Sequence, residues 1–248
     1  MKRMAKSEKQ NILVFDTTTV ACTVALKSAG QVYSKHVEEA NIHSQKLLAM
    51  VDELLKQADI KLNDIDYLAV GVGPGSFTGL RIGVGVAQAL AYCHELKIIA
   101  ISSLEMLAIS ALSSLSDIQQ GMVFAAHDAR MSEAYIAKFE LQPQQRLQLK
   151  NDIELQRPEQ IDIFSIQESV NKGVNYFLCG NAWQIYQEKM PDIFYHDSYL
   201  RDVLTPHAKD VVEYIECYLL DFDVIQWQKL QPVYVRNNVA KKSKKKKY

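Results

Sequence analysis

Short alternating runs open the chain. Ile12–Thr17, Ala21–Ser28 and Gln31–Glu38 are rich in Val, Thr and aromatic residues and are separated by tight breaks such as Ala29-Gly30, which predicts a three-stranded antiparallel meander. The period then changes. Between His43 and Ala58, Leu47, Leu48, Val51, Leu54 and Leu55 recur at helical spacing with Gln45, Lys46, Asp52, Glu53 and Lys56 mostly opposite, predicting an amphipathic helix. Asp66–Val72 is a compact apolar run entering the turn Gly73-Pro74-Gly75, and Ser76 is placed to cap a helix of small residues running to about Leu96. Lys97–Ile101 reads as a strand, Ser103–Leu112 as a helix, and Met122–Ala126 and Glu133–Phe139 as a further pair of strands. The order β-β-β-α-β-α-β-α implies a mixed sheet.

Beyond about residue 141 the pattern loosens. Gln142–Gln148 is mostly polar, Arg157-Pro158 breaks the chain, and Tyr176–Leu178 reads as a strand leading into Gly180-Asn181-Ala182 and a helix. Thr205-Pro206 offers an N-cap followed by Pro at the first helical position, and Val211, Val212, Ile215 and Leu219 supply the apolar face of a last helix. These features divide the chain into a flexible N-terminus (1–11), a first lobe (12–115), a second lobe (116–240) and a basic tail (241–248). In an alternative arrangement the final helix packs back on the first lobe.

With 248 residues, 48% of them hydrophobic, the chain can bury one large core or two ordinary ones. Met1–Gln10 is charged with no apolar run behind it, and the small-residue stretch Phe77–Cys93 carries Arg81 and Gln88, so neither a signal peptide nor a membrane span is expected. Cys22, Cys93, Cys179 and Cys217 are scattered and form no CxxC pair, which argues against a disulfide framework or zinc site and for a reducing cytoplasm. Removing the six lysines of the last eight residues from a formal net charge of −1 leaves −7 for the remainder. An acidic body disfavours a broad nucleic-acid surface. The tail reads as a solvated charge run, with contact to RNA phosphates as the alternative.

Asp16-Thr17-Thr18-Thr19 brings a carboxylate and hydroxyls to one turn, a geometry that can hold a phosphate or hydrated metal. Turn hydrogen bonding alone accounts for the same residues. Gly73-Pro74-Gly75-Ser76-Phe77-Thr78-Gly79-Leu80-Arg81-Ile82-Gly83 is the most specific stretch. Glycines ahead of a helix can admit an anion, but this one lacks the Lys-Ser/Thr ending of a P-loop and the dinucleotide spacing. Gly75, Gly79 and Gly83 recur every four residues, and Ala87 and Ala91 continue the row. Each interior glycine costs about 1 kcal/mol relative to alanine, so the row needs a packing reason. Its neighbour is either the chain's own sheet or a second subunit, and the sequence alone favours the sheet. His36, His43, His94, His127, His196 and His207 include no HxxxH or HExxH pair, so no catalytic metal is expected. Ser102-Ser103 and Cys93 lack a recognisable nucleophile setting.

Ile12-Leu13-Val14-Phe15-Asp16-Thr17-Thr18-Thr19, His43-Ser44-Gln45-Lys46-Leu47-Leu48, the glycine stretch and Ser102-Ser103-Leu104-Glu105 together resemble, in order and spacing, the TsaB (YeaZ) family. Asp128-Ala129-Arg130, Gly180-Asn181 and Pro232-Val233-Tyr234-Val235-Arg236 extend the likeness over nearly the whole chain. The resemblance implies an α/β, two-lobed actin/Hsp70/sugar-kinase-like (ASKHA) fold, with mixed sheets flanked by helices around an ancestral nucleotide cleft. It implies a heterodimer with TsaD, the related catalytic subunit, which transfers threonylcarbamoyl from its adenylate to the adenosine beside the anticodon of ANN-decoding tRNAs. It also implies TsaE, an ATPase that binds the assembled complex.

On this resemblance the chain is a non-catalytic subunit that binds no cofactor alone, ATP and metal being used by partner subunits. The catalytic relative carries a histidine-rich metal motif where this chain reads Ser102-Ser103-Leu104-Glu105-Met106-Leu107. Asn181 is followed by Ala182 and Trp183, where the family often has glycine, and the indole is expected to crowd a nucleotide. Asp16, Thr17, Thr18, Asp128, Gly180 and Asn181 are then a vestigial cleft. The two helices become the pairing face, for TsaD or, without it, for a second copy, with His43, Ser44, Leu47, Leu48, Val51, Phe77, Gly79, Leu80, Gly83, Val84 and Ala87 as candidates. Contact with tRNA is expected mainly through partners, with Lys241, Lys242, Lys244, Lys245, Lys246 and Lys247 as this chain's candidate contribution. The rival readings are a stand-alone homodimeric binding protein and a residual metallopeptidase- or ATPase-like enzyme.

Overall fold

The computed structural model describes residues 10–113, 118, 120–161, 174–190, 199–200 and 203–236. The six tail lysines and most of the 1–11 segment lie outside these residues. β1 (Ile12–Asp16), β2 (Ala21–Ser28) and β3 (Gln31–Glu38) form the expected meander, with Val14 opposite Ala25 and Ser28 opposite Gln31. Helix α1 (His43–Ala58) follows, then β4 (Tyr67–Gly71), α2 (Phe77–His94), β5 (Lys97–Ile101) and α3 (Ser103–Leu112). β4 pairs in parallel with β1 on one side and β5 on the other. Every residue of β1 is buried, which is why Ile12-Leu13-Val14-Phe15 reads as an unbroken apolar run: helices cover both faces of this central strand.

One face of the sheet is covered by α1 and α2, whose Leu47, Val51, Leu54, Leu80, Val84 and Ala87 join Leu13, Phe15, Val24 and Leu68 in a single core. The other face receives Met106 and Ile109 of α3, which pack with Ile12, Val14 and Ile99.

The second sheet contains β6 (Gly121–Arg130), β7 (Glu133–Gln142), β8 (Arg146–Leu149), β9 (Glu154–Gln156), β10 (Tyr176–Cys179) and β11 (Tyr199–Leu200). Its order is β11-β10-β6-β7-β8, with β9 also paired to β7. Leu104, Leu107, Ala108 and Ala111 of α3 pack on Val123, Ala125, Phe139 and Phe177 of this sheet. Helix α3 therefore serves two cores at once, which explains its nearly all-round apolar sequence. This is the two-lobed arrangement of mixed sheets and helices that the resemblance implies.

The chain then returns to the first sheet. Helix α4 (Ala208–Tyr218) lays Val211, Val212 and Ile215 beside Met106 and Ile109, and β12 (Val224–Ile225) pairs antiparallel with β5. The first sheet thus runs β12-β5-β4-β1-β2-β3. Helix α4 begins at Ala208 rather than beside Pro206, because the Thr205 hydroxyl donates to Glu38 Oε1 on β3 (2.7 Å) instead of capping the helix. Hydroxyls from distant elements take over at the helix start: Ser110 Oγ accepts from His207 N (2.8 Å) and Thr23 Oγ1 from Ala208 N (2.9 Å). Strands β6 and β7 outrun their sequence limits of Ala126 and Phe139, since each goes on pairing with the other to the ends of the hairpin. Among the described residues no helix is long and apolar enough to cross a membrane.

Candidate functional site

Where β1 ends, Asp16 is fully buried. Its carboxylate accepts from the Thr18 backbone N–H (3.0 Å) and from the Thr18 hydroxyl (3.0 and 2.9 Å to its two oxygens). Burial pushes the Asp16 carboxyl up to about 6 against the pull of these bonds. The glycine row of α2 is turned toward this turn. A Cβ at Gly75 would fall on the Thr18 carbonyl oxygen, at Gly79 on that of Thr17, and at Gly83 on the Thr17 hydroxyl. The close approach is used: the Thr17 hydroxyl donates to Gly79 O (2.8 Å) and Ser76 N to Thr18 O (2.6 Å). At the start of α3, Ser102 Oγ accepts from Glu105 N (3.3 Å) and the buried Ser103 hydroxyl donates to Pro74 O. The Ser102-Ser103 segment thus works as a helix cap and a turn anchor.

The second-lobe residues form their own cluster. Asn181 Oδ1 accepts from Asp128 N (2.9 Å), and the Asp128 carboxylate accepts from the Tyr186 hydroxyl (2.6 Å) and Arg130 N (2.8 Å). Gly180 has φ of +101°, and a Cβ there would strike the Ala126 carbonyl. Beside them His127 is buried, and burial lowers its imidazole to about 4, keeping it neutral. Trp183 does not crowd the cleft as expected. It is fully buried in the core on the outer face of the second sheet, its indole donating to Cys179 O (3.0 Å). The polar groups of the two turns bond within their own clusters, Asp16 with Thr18, and Asp128 with Asn181 and Tyr186. Among the described residues no group of three or more His, Cys, Asp or Glu side chains is disposed to hold a metal ion.

The helical candidates divide by burial. His43, Leu47, Val51, Gly79, Leu80, Gly83, Val84 and Ala87 are all buried within the chain itself. His43 Nε2 bonds the carbonyls of Thr19 (3.1 Å) and Ala21 (3.2 Å), so that nitrogen carries the proton. Ser44, Leu48 and Phe77 reach the surface, Leu48 at 52% and Phe77 at 63% exposure. Around them lies a face whose residues helical periodicity alone did not single out: exposed Ala49, Arg81, Gly85, Ala89 and Tyr92, with half-buried Ile82 and Val86 between. A Cβ at Gly85 would meet nothing within 4 Å. The Arg81 guanidinium stands 3.2 Å from the Phe77 ring centre and 5.3 Å from that of Tyr234. The signal for this face was present. Gly83 and Gly85 are two residues apart, so in a helix they point to opposite sides, and a glycine row packing inward at Gly83 leaves Gly85 facing out.

A family model described as "TsaD: tRNA N6-adenosine threonylcarbamoyltransferase" matches residues 37–242. The chain is 35% identical over 238 residues to the "tRNA threonylcarbamoyladenosine biosynthesis protein TsaB" of Escherichia coli, spanning 92% of this chain and 96% of that protein. It is 32% identical over 235 residues to the Haemophilus influenzae protein of the same description, spanning 92% and 94%. Among solved structures, YeaZ from Pseudomonas aeruginosa superposes with a TM-score of 0.79 at 32% identity, covering 91% of this chain and 99% of that one. Likeness of this extent, in sequence and in fold, shows that the chain belongs to the TsaB (YeaZ) family.

Proposed function

We propose that this chain is a non-catalytic subunit that pairs with a TsaD-type subunit to support threonylcarbamoylation of the adenosine beside the anticodon in ANN-decoding tRNAs. The observation that carries the reading is Gly85. An exposed mid-helix glycine costs about 1 kcal/mol relative to alanine, and no contact inside the chain requires it. Exposed Phe77 and Tyr92 lie toward the two ends of the same helix and exposed Leu48 on the neighbouring α1, and exposed apolar side chains on two adjacent helices support a docking reading. A partner helix laid over Gly85 and Ala89 would bring the two backbones close and cover those side chains.

The non-catalytic part is supported by the internal satisfaction of both carboxylate clusters and by the structural use of Ser102 and Ser103. In this reading the partners use ATP and metal, TsaE joins the assembled pair, and tRNA meets mainly the partners. Without TsaD the same face pairs two copies. The setting is the cytoplasm.

The test is threonylcarbamoyl-tRNA formation by a purified threonylcarbamoyl-adenylate synthase, TsaD and TsaE, with and without this chain, beside light scattering of its mixture with TsaD. Modification that depends on the chain, with a mixed species of heterodimer mass, is expected. Full modification without it overturns the proposal, and a homodimer indifferent to TsaD would point to a stand-alone binding protein.

A further inference from the structure

After the helical turn Trp227–Lys229, residues 230–236 run without regular structure from one lobe to the other. Leu230 is fully buried and its carbonyl accepts from Gln88 Nε2 of α2 (2.8 Å). Val233 N donates to Val72 O just past β4 (2.8 Å), and the Val233 carbonyl lies 2.9 Å from where a Cβ on Gly73 would sit. Tyr234 stands beside Phe77, ring centres 6.0 Å apart, with Arg81 against both. Two residues later the chain is on the second lobe. The Arg236 guanidinium pairs with the Glu133 carboxylate of β7, donates to the Arg130 carbonyl (3.4 Å) and touches the Met131 sulfur (2.9 Å).

The turn it grips joins β6 to β7. Arg130, Met131 and Ser132 have φ of 64°, 57° and 57°, a left-handed conformation in three successive non-glycine residues, which persists only where surroundings hold it. The ion pair is well shielded, with Arg236 and Glu133 side chains 15% and 30% exposed. Other links between the lobes include α3, the segment that accepts from Gly180 N at Val203 O (2.8 Å) and donates from the Thr205 hydroxyl to Glu38 (2.7 Å), and the contacts of β8 with the α4 region, Leu147 N to the Tyr214 hydroxyl (2.9 Å) and Arg146 to Asp221 (2.7 Å).

We propose that residues 230–236 are a latch between the lobes, fastened beside the outer face of α2 at Tyr234 and to the β6–β7 turn at Arg236, so that a partner docking on Phe77 and Arg81 sets the position of this turn and of the end of β6 that carries Asp128. The latch is a property of the isolated chain. Only its reading by a partner rests on the function proposed above.

Amide hydrogen exchange of the full chain tests it. Arg236→Ala and Glu133→Gln should each speed exchange in the β6–β7 turn by about tenfold or more, as expected for a locally opened unit, while β1 and β4 keep their protection. The exchanged pair Arg236→Glu with Glu133→Arg should restore it. Turn exchange unchanged in both single variants overturns the latch. When TsaD is added, protection of the turn should rise in the wild type and not in Arg236→Ala; an equal response in both overturns the transmission. Failure of any complex to form would defeat the proposed pairing and with it the transmission, while the isolated chain still decides the latch.

Discussion

Gly79 and Gly85 lie in the same helix, and their surroundings set opposite expectations for substitution. A side chain at Gly79 meets the Thr17 carbonyl, so Gly79→Leu must push α2 off the Asp16 turn. Overpacking of this kind costs about 1–3 kcal/mol and more when the obstacle is backbone, which thermal unfolding will register. Gly85→Arg meets open space and removes the helix cost of glycine, so it should raise the melting temperature by roughly 2–4 °C while removing the mixed species with TsaD in light scattering. Retained pairing would take this face out of the interface.

Two buried titratable groups add a second expectation at this scale. Asp16 is raised from 3.8 to about 6, so stability falls as pH rises through that window. His127 is lowered from 6.5 to about 4, so stability falls as pH drops through its window. Each is worth about 3 kcal/mol, and between pH 4 and 6 they oppose each other. Asp16→Asn should therefore make the protein more acid-labile relative to its own neutral stability, and His127→Gln less so. Denaturant melts at pH 4.5 and 7 that show the same tilt for both variants would sink this account.

At the scale of elements, periodicity foretold α1, α2, α3, β1 to β5 and the existence of the β6–β7 hairpin, because these runs are long or sharply bounded. It missed β8, β9, β11 and β12, which are two to four residues long and too short to show a period. Helix α4 was foreseen with the wrong start. The Thr205-Pro206 signal is local, whereas Thr205 is drawn to Glu38 across 167 residues of sequence and the real donors at the helix start are met by Ser110 and Thr23. Thr23→Val keeps the shape and leaves the Ala208 N–H without its acceptor. The expected loss is about 1–3 kcal/mol, a fall in Tm of roughly 2–4 °C per kcal/mol for a chain of this size, and an unchanged Tm would show that water replaces the hydroxyl.

For the whole molecule, the acidic body and the six-lysine tail set the electrostatic question. Deleting 241–248 should flatten the salt dependence of tRNA binding by the assembled complex, by roughly 0.7–0.9 in the log–log slope for each phosphate that the tail had neutralised. An identical slope leaves the tail out of RNA binding. The sequence by itself determined the two-lobed α/β class, the order of the main elements and the family, because hydrophobic period, glycine spacing and turn chemistry are written within short windows. Only the tertiary structure decided which face of α2 is free, why the cleft's carboxylates are already engaged, where α4 begins, and that residues 230–236 join the two lobes. These depend on partners far apart in the chain, such as Gln88 with Leu230 across 142 residues and Thr23 with Ala208 across 185, and no local pattern encodes which distant group a side chain will meet.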